Sequence, residues 1–266
     1  MKDLLLPERY IRLSGAVNFR DIGGYITSDG LRVRCNRVYR SDSLADLKDD
    51  DIPIVSKLGL KAIFDLRGQA ELEAKPNNIA ITSNVATHNI GFLPYRAVEM
   101  VAEAGKPDAT VEGFRDGVRE VYRRFAIEQG DTFLHLFNSL QEEQVTPALI
   151  HCTSGKDRTG FAVALLLNIL GVPKSVIWED YMLSNVRQRD LAYLAESGIR
   201  PEMLTAMMEV HPTFLFTAFE AIDDGWGTLQ SYCEDVLDLT PPKIAKLHAN
   251  LLEKDGLNCG GEGSGH

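Results

Sequence analysis

Cysteine is scarce: four residues in a chain of 266 cannot staple a fold of this size, so stability has to come from a buried core. No apolar run approaches the roughly 18 residues of a membrane span, so stable insertion into a membrane is not expected. At the N-terminus only Leu4, Leu5 and Leu6 precede Pro7 and Glu8, too short a stretch for the apolar part of a secretory signal. The expectation is a soluble, cytoplasmic protein, with export by a route that needs no cleavable signal left open. No Pro/Gly/Ser-rich linker divides the chain, and a hydrophobic content of 44% is enough to fill one sizeable core. Cys-x-x-Cys, His-Glu-x-x-His and clustered His/Asp patterns are missing, so no metal and no other cofactor is expected. Basic residues are outnumbered, 28 Lys and Arg against 38 Asp and Glu. The net charge of −10 argues against a nucleic-acid partner and against general attraction to anionic lipid. Any anion must therefore be recognised locally.

What stands out is the run His151-Cys152-Thr153-Ser154-Gly155-Lys156-Asp157-Arg158-Thr159-Gly160. Ahead of it, Ala148, Leu149 and Ile150 read as a short buried strand. Behind it, Thr159 to Leu170 is a helical window in which Asn168 is the one polar side chain after Thr159. A loop that opens onto a helix N-terminus offers unpaired N–H groups and the positive end of the dipole to an anion. The same field favours a thiolate, which makes Cys152 a nucleophile. The N–H groups of Thr153, Ser154, Gly155, Lys156, Asp157 and Arg158 can converge on phosphoryl oxygens, and Gly155 permits the turn that aims them. Arg158 brings a planar fork that fits two phosphate oxygens, and Lys156 adds a mobile point charge. The Thr159 hydroxyl is expected on the Cys152 sulfur, and His151 is expected to support the loop through hydrogen bonds. Asp157 is placed to protonate a leaving oxygen. Asp65, following Ile63 and Phe64 at a strand end, is a second candidate for that acid; a structural Asp65–Arg67 pair is the equal alternative.

Other readings of the loop need residues the chain does not have. A nucleotide-binding Walker loop built on Gly155 and Lys156 would need glycine at position 150 and serine or threonine at 157, where Ile150 and Asp157 stand. A sulfur-transfer enzyme needs no adjacent acid, an arsenate reductase needs resolving cysteines close by, and a silent phosphopeptide-binding module would have lost Cys152 or Arg158.

The run resembles the signature loop of the cysteine-dependent phosphatases. Its Gly-Lys-Asp-Arg form resembles the atypical bacterial protein-tyrosine phosphatases, which also accept phosphoserine, phosphothreonine and phosphoinositides. The segments Asn18 to Tyr25, Tyr39 to Leu44, Phe64 to Arg67 with Glu71, Asp180 to Asn185 and Gly227 to Tyr232 follow the order of that family. The resemblance implies hydrolysis of phosphate monoesters through a phosphocysteine intermediate. A phosphotyrosine protein is its first substrate and a phosphoinositide its second. It also implies a helical lid over the site at about residues 184–213, a stretch charged at Arg187, Arg189 and Asp190 and methionine-rich at Met203, Met207 and Met208; read from its residues alone, the stretch is first an ordinary helical pair on the core.

Strand and helix signals alternate through the first half. Val33 to Tyr39, Lys61 to Leu66 and Thr87 to Ile90 read as strands; Ile52 to Leu58, Phe114 to Glu128 and Thr132 to Glu143 read as helices. From Lys174 to His248 the chain reads as helical. This pattern predicts the α/β class, with a central, mostly parallel sheet flanked by helices and a helical C-terminal half. Residues 1–258 are read as one catalytic domain and 259–266 as a disordered, glycine-rich tail. Arg20, Asp21 and Arg40 are read as salt-bridging organisers of loops, Cys35 and Cys233 as packing residues, and Cys259 as incidental.

Overall fold

The computed structural model describes residues 9–186 and 198–254; Arg187, Arg189, Asp190 and the tail with Cys259 lie outside the described residues. Two short strands come first, β1 (Arg20–Asp21) and β2 (Arg32–Val33). They are followed by β3 (Val38–Ser41), β4 (Ala62–Arg67), β5 (Ala86–Phe92), β6 (Ala148–His151) and β7 (Leu252–Glu253). One sheet has the order β1-β3-β6-β4-β5, and β2 pairs with β7 in a second. In the larger sheet β1 is antiparallel to β3, and the other pairings are parallel. That is the expected α/β class.

The three central strands β3, β4 and β6 are buried at every position, as parallel strands covered on both faces must be. Successive side chains alternate between two cores. In β4, Ala62, Phe64 and Leu66 enter the larger one and Ile63 the smaller. The smaller core lies under α1 (Asp51–Ser56) and α3 (Ile79–Thr82) and takes in Leu13, Phe19 and Leu44. The larger is built on α7 (Asp157–Ile169), of which nearly every residue is buried, the behaviour of a helix that is apolar all round. Around α7 pack α5 (Val111–Glu128), α6 (Gly130–Ser139), α8 (Lys174–Met182) and α10 (Pro212–Trp226). On α5 the apolar stripe of Val121, Tyr122 and Phe125 faces this core, while Arg124 pairs with Glu120 and Glu128 outside. No described helix is long and apolar enough to cross a membrane.

Two expectations need correction. Val33 to Tyr39 is not one strand: Asn36 takes a left-handed φ of 59°, and its N–H donates to Asp21 Oδ2 at 2.7 Å. That turn sends Val33 to β7 and Val38 to the main sheet. Cys35 is disulfide-bonded rather than a packing residue, whereas Cys152 and Cys233 are free thiols. Three short helices, α2 (Gln69–Ala74), α3 and α4 (Ala97–Ala104), stand where the sequence showed no period long enough to read. Of the stretch expected as a lid, α9 (Pro201–Met208) is described; Met203 is fully buried beside Ala104 and Ile199.

The main sheet is tightest between β4 and β5. A Cβ on Gly91 would lie 1.9 Å from the carbonyl carbon of Leu66, beside the register shift between Asp65 and Arg67. Gly91→Ala therefore forces the strands apart, and a loss of about 2–4 kcal/mol is expected, measured by denaturant unfolding. Because the Leu66 carbonyl also holds a site arginine, activity at a temperature where the variant stays folded should fall as well.

Candidate active site

Three strand ends meet at one level: His151 of β6 lies opposite Ser41 of β3 and Asp65 of β4. The chain leaves the sheet there, at the carboxyl ends where open α/β sheets place their ligands. Residues 152–156 form the loop, and α7 begins at Asp157. Cys152 is buried at the base. Gly155 has a φ of +65°, and a Cβ there would come within 2.5 Å of the Ser41 carbonyl oxygen, so both backbone conformation and space call for glycine.

The loop is held from below by side chains far away in sequence. Arg40 Nη2 and Asn18 Nδ2 both donate to the Gly155 carbonyl at 2.8 Å, and Ser43 N–H donates to the Thr153 carbonyl at 3.1 Å. Arg40 and Arg20 are fully buried and share one carboxylate. Arg40 Nη1 lies 2.7 Å from Asp180 Oδ2 and Arg20 Nε 3.2 Å from Oδ1. Burial alone would raise the Asp180 carboxyl, but the two guanidinium groups hold it at about 2. Arg20 and Arg40 are thus loop organisers as expected. Their partner Asp180, and Asn18, carried no local signal of that role.

Arg158, in the first turn of α7, is fixed on both ends of its fork by Glu71. Nη1 donates to Glu71 Oε2 at 2.6 Å and Nη2 to Oε1 at 2.8 Å. The carbonyls of Phe92 and Leu66 accept from Nη1 at 2.9 and 3.1 Å, and Thr153 Oγ1 accepts from Nη2 at 3.2 Å. Glu71 also accepts from the Thr153 hydroxyl and from the Gly68 N–H. Desolvation would raise the Glu71 carboxyl, yet Arg158 and these donors bring it below its ordinary value. A planar bidentate pair of this kind fixes orientation as well as position.

The two acids have different surroundings. Asp65 is fully buried. Arg67 Nη2 donates to its Oδ2 at 2.7 Å, Asn77 Nδ2 donates to it at 2.8 Å, and His151 Nε2 lies 3.2 Å away. Against desolvation, His151 and Arg67 keep that carboxyl well below the usual range. Asp157 is about a third exposed and accepts one hydrogen bond, from the Tyr122 hydroxyl to Oδ1 at 3.0 Å. The Lys156 ammonium is directed to the C-terminal end of α9, donating to the Met207 carbonyl at 2.8 Å. Thr159 Oγ1 is buried and makes no hydrogen bond among the described residues, so the expected bond to the Cys152 sulfur is not formed.

The chain is a phosphoric monoester hydrolase. It belongs to the tyrosine phosphatase family, whose family model matches residues 11–253. A Cupriavidus necator protein whose name places it among the tyrosine-protein phosphatases is 33% identical over 243 residues, 88% of this chain and 85% of that one. The triple specificity protein phosphatase PtpB of Mycobacterium tuberculosis is 28% identical over 261 residues, 84% of this chain and 92% of its own. Among solved structures, the Siw14 catalytic core overlaps 79% of this chain and 95% of its own at 14% identity and a TM-score of 0.36. P. aeruginosa TpbA overlaps 66% and 90% at 15% identity and a TM-score of 0.31.

Asp180→Asn leaves Arg20 and Arg40 buried without a carboxylate. A loss of about 3–5 kcal/mol at neutral pH is expected. The folded carboxyl lies near 2 against an ordinary 3.8, so its contribution is full above the ordinary value and disappears as pH falls towards the folded one. Unfolding measured across that interval should show the gap between wild type and variant closing.

Proposed function

We propose that the chain hydrolyses phosphotyrosine in proteins through a phosphocysteine intermediate. The observation that carries this reading is the Arg158 fork, locked by Glu71 next to Cys152 at the start of α7. Both Nη atoms are occupied; Nε–H makes no hydrogen bond among the described residues and is the donor left for a phosphoryl oxygen. In the first step Cys152 Sγ attacks phosphorus, the phosphorus–oxygen bond to tyrosine breaks, and the phenolic oxygen takes a proton from Asp157. In the second, water attacks the phosphocysteine, Asp157 takes its proton, and the thiolate leaves with its electron pair. Arg158 and the loop amides hold the charge as it spreads over the phosphoryl oxygens.

The partial exposure of Asp157 supports it as the acid, since a proton donor has to meet a leaving group. Asp65 is closed in by Arg67, Asn77 and His151. The pairing of β7 with β2, which returns the described C-terminal segment to the N-terminal one, supports a single catalytic domain.

Cys152→Ser should reduce turnover of p-nitrophenyl phosphate by about 10³-fold or more, with vanadate inhibiting the wild type and a chelator leaving it active. Asp157→Asn should slow aryl phosphate hydrolysis by roughly 10²–10⁴-fold. Its loss should be larger for phenyl phosphate than for p-nitrophenyl phosphate, whose leaving oxygen needs less protonation. A leaving-group dependence in Asp65→Asn, with none in Asp157→Asn, would exchange the two roles.

A phosphoinositide would bring further phosphates that the Lys156 ammonium could meet, and that ammonium donates instead to the Met207 carbonyl. Lys156→Ala is expected to leave the ratio of kcat/KM values, phosphotyrosine peptide against multiply phosphorylated phosphoinositide, within about threefold. A tenfold fall of the lipid alone would show that the ammonium exchanges the carbonyl for a phosphate.

A further inference from the structure

Two buried tyrosines meet behind Asp157. Tyr122 comes from the middle of α5 and Tyr181 from the last turn of α8, and both rings are closed off from solvent. Phe125 and Phe214 pack on Tyr122. Tyr181 lies against Gly160 of α7, where a Cβ would come within 3.0 Å of its ring. The two hydroxyls are 2.7 Å apart, and Tyr122 O–H reaches Asp157 Oδ1 at 3.0 Å. Two buried phenols need partners, and a bond between them answers part of that need. It does not explain why the chain of hydrogen bonds continues to the partly exposed carboxylate at the mouth of the site.

We infer that Tyr122, backed by Tyr181, is the positioning residue of the reaction, holding Asp157 Oδ1 so that the transferable proton resides on Oδ2. This rests on the assignment of Asp157 as the acid. Each phenol has one proton to donate, so once Tyr122 donates to Oδ1 its own oxygen accepts from Tyr181. The order Tyr181, Tyr122, Asp157 is then fixed. Burial, with Asp157 next in weight, puts the Tyr122 hydroxyl well above its ordinary range, and burial does the same to Tyr181. Both phenols therefore keep their protons, and the pair serves the carboxyl as a neutral donor. When Asp157 gives its proton to the leaving oxygen, the donor for the new carboxylate is already in place. Fixing one oxygen also fixes the carboxyl plane, which decides where the other oxygen points.

Other charged groups bear on the same carboxyl. Lys156 Nζ lies 3.9 Å from Oδ2, Arg158 shares the first turn and has Cys152 and Glu71 beside it, and Arg40 acts on Tyr181. All remain when one phenolic oxygen is removed, so Tyr122→Phe isolates the hydrogen bond. Losing a donor disfavours the carboxylate, and a general acid acts only while protonated. The alkaline limb of the kcat/KM profile for phenyl phosphate should therefore move upward by about one pH unit, since a hydrogen bond to a charged group and one unit of pKa are of similar size. Tyr181→Phe should move it in the same direction by less, because Tyr122 keeps its own donation.

The experiment is the pH profile of wild type, Tyr122→Phe, Tyr181→Phe, Asp157→Asn and the double variant Tyr122→Phe/Asp157→Asn, with thermal midpoints measured beside it. Support is an upward shift in both tyrosine variants and no further change of profile when Tyr122→Phe is added to Asp157→Asn. Lower thermal midpoints with an unmoved limb would overturn the inference and leave the tyrosines as packing residues. Asp157→Asn with a wild-type profile and rate would overturn the acid assignment itself, a different failure read from a different variant. Should Tyr122→Phe not fold, an unmoved limb in Tyr181→Phe overturns the proposal alone.

Discussion

Two arginines buried with a single carboxylate set the terms for this protein. Asp180 on α8 holds Arg20 from β1 and Arg40 from β3, and Arg40 holds the carbonyl of Gly155. Helix, sheet and signature loop are thereby locked to one another through one residue. Buried ion pairs are weak evidence for stability, because the desolvation of their charges offsets most of the attraction; what they supply well is a unique arrangement. Here two buried cations share one carboxylate beneath the Gly155 carbonyl. The cost of burying Arg40 is visible in the lowering of its own basicity by desolvation and by Arg20.

The sheet and α7 supply the rigid frame, and polar contacts supply the aim. Phe161, Leu165 and Leu166 on α7 are fully buried, and each such side chain contributes about 1.5–3 kcal/mol through the area it removes from water. That burial fixes where the helix starts, hence where Arg158 sits. It leaves the guanidinium free to turn. Glu71 removes the freedom, and its own helix α2 starts with the same carboxylate accepting from the Gly68 N–H, so one side chain caps a helix and orients the fork.

The loop was legible in the sequence because its chemistry is local. Cys152, Gly155, Asp157 and Arg158 sit within one strand-loop-helix unit, and the α/β class followed from periodicities that extended over whole elements. Contacts between distant residues left no such trace. Asp180 and Asn18 stood in segments that resemble the family, but nothing in those segments showed which distant groups they hold, and Tyr122 looked like any aromatic on an apolar stripe. Side-chain direction was equally hidden. Lys156 lies in the loop but reaches for α9, and the Thr159 hydroxyl misses the sulfur its position suggested. Asp65 read equally well as acid or ion-pair partner, because neither its burial nor its three neighbours can be read from adjacent residues. The strand over Val33 to Tyr39 failed for a local reason, since a single left-handed residue, Asn36, outweighs apolar residues on both sides.

The separation between Arg20 and Asp180, 160 positions along the chain, has a consequence for the protein's first moments. Emerging from a ribosome at about 5–20 residues per second, the chain exposes its two arginines on the order of 10–30 s before their carboxylate arrives. In that interval β6 and the signature loop can already be outside, but nothing anchors the guanidinium that holds Gly155. Arg20 and Arg40 meanwhile remain hydrated, since burying them unpaired is too costly. The anchorage of the loop through Arg40 is therefore completed only once α8 has left the tunnel.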